Sequence, residues 1–81
     1  MNLQLQILKA LRGVHPRLMP LESLWPEVRM AMPEPPSRID FDHALRVLED
    51  EKRQVIVLKG EDRVRAKITD EGLARVAEAN L

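Results

Sequence analysis

Arg63-Val64-Arg65-Ala66-Lys67-Ile68-Thr69-Asp70-Glu71-Gly72-Leu73 decides how this chain folds. Over its first six positions basic and apolar residues alternate. That period places Val64, Ala66 and Ile68 on one side of a strand and Arg63, Arg65 and Lys67 on the other. Thr69 then opens a helix: its hydroxyl can accept a backbone N–H, and Asp70 and Glu71 fall in the first turn, where the helix dipole favours carboxylates. Leu73, Val76 and Ala77 supply that helix with an apolar face. Just upstream, Gln54-Val55-Ile56-Val57-Leu58-Lys59 is a β-branched, continuous run, and Gly60-Glu61-Asp62 is turn chemistry. The stretch 54–68 is therefore expected to be a β-hairpin that runs directly into a C-terminal helix.

Three helices are expected before the hairpin. Leu3, Ile7, Ala10, Leu11 and Val14 recur at helical spacing, and Leu8 widens the stripe. Gly13 and Pro16 end this helix, which should cover about residues 2–12, while Leu5 falls off the stripe. Residues 14–19 form a short connector with room for a brief strand. Pro20 can begin a second helix lined by Leu21, Leu24, Trp25 and Val28, which Pro26 is expected to kink or divide. Pro33, Pro35 and Pro36 make a stiff loop. Ser37 is the strongest helix start, with Asp40 three residues on, and the third helix should run from 38 to 52 and bury Phe41, Ala44, Leu45 and Leu48.

Composition narrows the function classes. Eighty-one residues make one small domain, 1–81, with thin stability margins. There are no cysteines, so neither disulfides nor thiolate metal sites reinforce it. No apolar run approaches the length of a membrane span, and the N-terminus reads as a first helix and not as a signal peptide. The expected location is cytoplasmic. Thirteen basic and thirteen acidic residues cancel, which argues against a strong nonspecific nucleic-acid binder unless the charges are segregated. Trp25 and Phe41 are the only aromatics, too few for a base-stacking platform.

The order of three helices, hairpin and helix resembles a winged-helix domain, an α+β, mainly α fold with a two-stranded β-hairpin wing and a C-terminal helix. Lys67-Ile68-Thr69-Asp70-Glu71-Gly72-Leu73-Ala74 is similar to the exit from the wing in MarR- and PadR-type bacterial regulators, with Thr69, Gly72 and Leu73 at the matching positions. Small phage and bacterial winged-helix proteins of unassigned role look similar too. Such domains often carry a glycine between the third helix and the first wing strand. Here that stretch is Glu49-Asp50-Glu51-Lys52-Arg53-Gln54-Val55, without one.

The resemblance implies double-stranded DNA as partner, read by the helix at 38–52 in the major groove. On a helical wheel from Phe41, the face turned away from the core holds Ile39, Asp42, His43, Arg46 and Asp50, with Arg38 on the flank. Arg38, His43 and Arg46 are the expected base or phosphate contacts. Four basic residues in this region (Arg38, Arg46, Lys52, Arg53) face five acidic ones (Asp40, Asp42, Glu49, Asp50, Glu51), a balance that opposes a phosphate backbone. The hairpin is better placed, with Lys59, Arg63, Arg65 and Lys67 expected on one side and Glu61 and Asp62 at the tip. Outward charges on an exposed strand also keep it from pairing edge to edge.

A homodimer through Leu73, Val76 and Ala77, with the off-stripe Leu5, would double the reading surface. The alternative is a winged-helix scaffold that binds protein instead of DNA, suggested by neutral charge, the acidic reader helix, and Ile39 and Val47, both expected to be exposed. No catalytic constellation, cofactor loop or metal set emerges. His15 and His43 are too few and too far apart to hold a metal, and Ser37 with His43 has no orienting acid, so its hydroxyl is read as a cap. Trp25 is read as a core anchor.

Overall fold

The computed structural model describes residues 2–80. It is mainly α-helical with a small antiparallel sheet: α1 (Leu3–Arg12), β1 (Met19–Pro20), α2 (Leu21–Ala31), α3 (Arg38–Asp50), β2 (Val55–Lys59), β3 (Val64–Ile68) and α4 (Asp70–Glu78). The sheet order is β1-β3-β2, so β3 is central and β2 has one free edge.

Helices α1, α3 and α4 start where a side chain satisfies a backbone donor that the helix itself leaves open. The Gln4 N–H donates to Asn2 Oδ1 at 2.7 Å and the Asp40 N–H to Ser37 Oγ at 3.1 Å. Pro20 opens α2 without a side-chain cap. Pro26 does not divide α2, which is one helix from Leu21 to Ala31. Its ring and Glu22, whose carbonyl loses the Pro26 N–H, are both on the exposed side, while Leu24 and Val28 anchor the opposite face in the core.

The core gathers Ile7, Leu8 and Leu11 of α1, Leu24 and Val28 of α2, Phe41, Leu45 and Leu48 of α3, Val55, Ala66 and Ile68 of the sheet, and Val76 of α4. Trp25 is half-buried at the edge of this cluster, its ring centroid 5.0 Å from that of Phe41. The apolar face of α4 is consumed here. Val76 is fully buried and Leu73 packs against the core, which leaves Ala77 as the exposed member of the expected dimer contact; Leu5 also packs inward. The physical cause is long-range: α1 lies alongside α4, so the stripe meets its partner within the same chain.

The junction quoted at the outset is built around Gly72. A Cβ on Gly72 would lie 2.3 Å from the Gln54 carbonyl oxygen and 2.5 Å from Ile68 Cγ1, so the first turn of α4 presses directly on the backbone that leads into β2. Thr69 binds the same segment: its hydroxyl donates to the Arg53 carbonyl at 2.7 Å and accepts the Gly72 N–H at 3.2 Å, and its own N–H donates to the Gln54 carbonyl at 3.0 Å. Arg53 sits at φ 54, in the left-handed region, where a glycine is the easier occupant. The turn after α3 therefore has the backbone that a glycine would favour, with arginine in the position.

Candidate interaction surface

Strand register sorts the cations of the hairpin. Val55, Val57 and Lys59 pair with Ile68, Ala66 and Val64, and Ile56 and Leu58 with Lys67 and Arg65. Residues directly opposite share a face. The inner face, toward the helices, thus holds Val55, Val57, Val64, Ala66, Ile68 and also Lys59. The outer face holds Ile56, Leu58, Arg65 and Lys67, with Pro20 of β1 opposite Arg65. Lys59 is therefore not on the side of Arg65 and Lys67, contrary to the sequence expectation. Alternation counted from Val55 assigns it to the inner face.

On the inner side, Lys59 lines a groove of about 480 Å³ between α3 and the hairpin, together with Arg46, Asp42, Glu49 and Asp50. Three carboxylates oppose two cations there. Glu49 is engaged in structure: its Oε2 accepts the Val57 N–H at 3.2 Å, on the strand edge that faces no neighbour.

On α3, Ile39, Asp42, His43, Arg46 and Asp50 are exposed, as the helical wheel implies, but Arg38 is not free. Its Nε donates to Asp42 Oδ1 at 3.0 Å, and its guanidinium lies 5.6 Å from the Trp25 ring centroid and 5.5 Å from that of Phe41. Down the exposed stripe, Arg38, Asp42, Arg46 and Asp50 follow each other four residues apart with alternating sign. His43 and Ile39 are exposed beside them, Ile39 by 80%.

The outer face of the sheet is different. Among the described residues no carboxylate lies within 4.0 Å of Arg63, Arg65 or Lys67. Ile56 and Leu58 flank Lys67 and Arg65 and are 39% and 45% exposed. Sequence reading located the cations but missed these two apolar neighbours, because a continuous β-branched run carries no sign of which members are covered. Below Lys67 the face ends in a hollow of about 270 Å³ bordered by His15, Pro16, Ile56, Thr69 and Asp70.

An apolar groove of about 480 Å³ lies between Trp25, Pro26, Arg29, Met30, Met32 and Pro35, with Arg29 5.9 Å above the Trp25 ring. No group of three or more metal-ligating side chains occurs among the described residues, and no helix among them is long and apolar enough to cross a membrane. Comparison with protein-family models, with curated proteins and with solved structures gave no match.

Proposed function

We propose that the chain is a winged-helix domain, with α3 in the reader position and β2–β3 as the wing, and that it acts as a protein-interaction module through the outer face of the wing. The element order and the Thr69–Gly72 junction support the fold assignment. One observation carries the function: Arg65 and Lys67, with no ion-pair partner among the described residues, share the outer sheet face with exposed Ile56 and Leu58. Protein contacts combine apolar burial with charge complementarity, whereas DNA contacts are more polar and strongly cationic. The reader helix argues the same way. Its cations alternate with carboxylates, and the positive charge does not run on from the hairpin, since Lys59 turns to the inner face among Asp42, Glu49 and Asp50.

The test replaces Leu58 with a photo-reactive amino acid in the cell of origin, with Glu27 on the exposed side of α2 as the control position. The expected product is a discrete protein adduct from position 58 and none from position 27. Nucleic-acid adducts from position 58 would overturn the proposal.

A second reading keeps double-stranded DNA as partner, favoured by the lack of ion pairs at Arg63, Arg65 and Lys67 among the described residues. In that reading the wing follows a phosphate strand, and Arg46 and His43 approach base edges. Binding of a mixed-sequence duplex would then fall steeply with added salt. A flat response at low salt removes it.

A further inference from the structure

The outer face of the wing has a pattern specific enough to define its occupant. We infer that it receives an acidic amphipathic helix of a partner protein, with carboxylates four residues apart seated on Arg65 and Lys67 and apolar side chains laid against Ile56 and Leu58. This rests on the interaction reading above and names the partner's chemistry.

Three observations lead there. The first is spacing. Arg65 and Lys67 are alternate residues of one strand, about 6.8 Å apart along it, and residues four apart on a helix rise by about 6 Å. Two carboxylates at i and i+4 thus match the two cations in one straight line. The second is the flank. Leu58 lies directly beside Arg65 and Ile56 beside Lys67, so an apolar row runs parallel to the cationic one on the β2 side. A helix with an apolar stripe next to its acidic stripe covers both rows at once. The third is backbone accounting. A segment lying on the face of a sheet gains no ladder hydrogen bonds, so it must satisfy its own N–H and C=O groups, as a helix does. An extended segment would have to join an edge. The Val57 N–H on the β2 edge is already bonded to Glu49, and β1 offers only two residues, one of them Pro20.

Charge complementarity sets the sign of the partner. Asp70 borders the hollow below Lys67, yet the Lys67 ammonium has no carboxylate within 4.0 Å among the described residues. Both cations of the outer row are therefore open to an incoming anion. A duplex placed here would press phosphates against Leu58 and Ile56, an arrangement that gains nothing from either.

The experiment selects a displayed library of amphipathic helical peptides against the full chain. The selected peptides are then mapped by amide chemical shifts on the chain. The expected winners carry Glu or Asp at i, i+4 beside Leu, Ile or Met, and perturb Ile56, Leu58, Arg65 and Lys67 but not Arg46. Arg65→Glu and Lys67→Glu should each weaken binding at least about tenfold, with unchanged cooperative unfolding showing that the fold is kept. Leu58→Ser should weaken it without altering its salt dependence. Helices of neutral or basic composition that map to the same four residues would overturn the acidic partner and leave the interaction reading standing. Mixed-sequence DNA or anionic phospholipid vesicles that shift these amides more tightly than any peptide would overturn both. Failure of every probe to shift them would do the same.

Discussion

Helix α3 and the β2–β3 hairpin both carry exposed charge, but α3 sets its two arginines among carboxylates, whereas the hairpin gathers four cations. On α3 the exposed stripe runs Arg38, Asp42, Arg46, Asp50, so each charge has an opposite one a single turn away, and Arg38 is bonded to Asp42. Along β3 and just before it, exposed Arg63 and Arg65 and half-buried Lys67 have one sign and no ion-pair partner among the described residues. The lesson concerns periodicity. Alternating charge at a spacing of four becomes self-neutralising on a helix, whereas like charge at a spacing of two accumulates on one side of a strand. A neutral total for the chain conceals one surface that is quenched and another that is not.

The contrast can be broken at either end. Phe41→Ala removes the ring that seats α3 under Trp25 and should cost about 4 kcal/mol. That is a large share of the roughly 4–12 kcal/mol expected for a domain of this size. Urea unfolding would show it as a lower midpoint or as loss of the native baseline, and an unchanged midpoint would contradict the packing described here. Gly72→Ala attacks the other end. Its Cβ must displace the Gln54 backbone and the Ile68 side chain, at a cost of about 2 kcal/mol. Hydrogen exchange should then quicken first in β2 and β3, with α3 affected less.

Two milder changes sharpen the comparison. Arg53→Gly relieves a left-handed arginine and should stabilise the domain by up to about 1 kcal/mol, read as a higher thermal midpoint, because Thr69 bonds to the carbonyl of residue 53 and not to its side chain. Asp42→Ala removes a half-exposed ion pair and should change stability by about 0.5 kcal/mol or less. Its effect on partners is the informative part. It unmasks Arg38 and shifts the α3 surface toward positive, so the DNA reading expects tighter, more salt-sensitive duplex binding. The interaction reading expects peptide affinity at the outer face to stay unchanged.

Much of this architecture is legible in the sequence because local rules are written plainly. Ser37 and Thr69 cap where their hydroxyls predict, most of the residues that the helical stripes mark are buried or packed on the core, and β3 alternates as its residues do. The remaining features depend on distant contacts. The two-residue β1 is too short for any periodic signal and exists because Met19 and Pro20 lie against Ala66 and Arg65. Val76 reads as a surface stripe until α1 is found beside it. The face occupied by Lys59 follows from pairing register, which depends on how the chain turns between residues 59 and 64. At the candidate site the cations of β3 were visible, but the apolar flank was not. Ile56 and Leu58 look no different in sequence from Val55 and Val57, and only the pairing tells them apart.

The bond from the Val57 N–H to Glu49 has a consequence for behaviour in concentrated solution. Val55-Ile56-Val57-Leu58 is an uncharged run of high β-propensity, and it lies on the perimeter of its sheet. The acid that terminates this perimeter comes from α3, so protection against stacking of one molecule on the next is coupled to the helix keeping its last turn. Fraying at that helix end would withdraw the guard and expose the template together. Self-association by strand addition should therefore begin well before global melting.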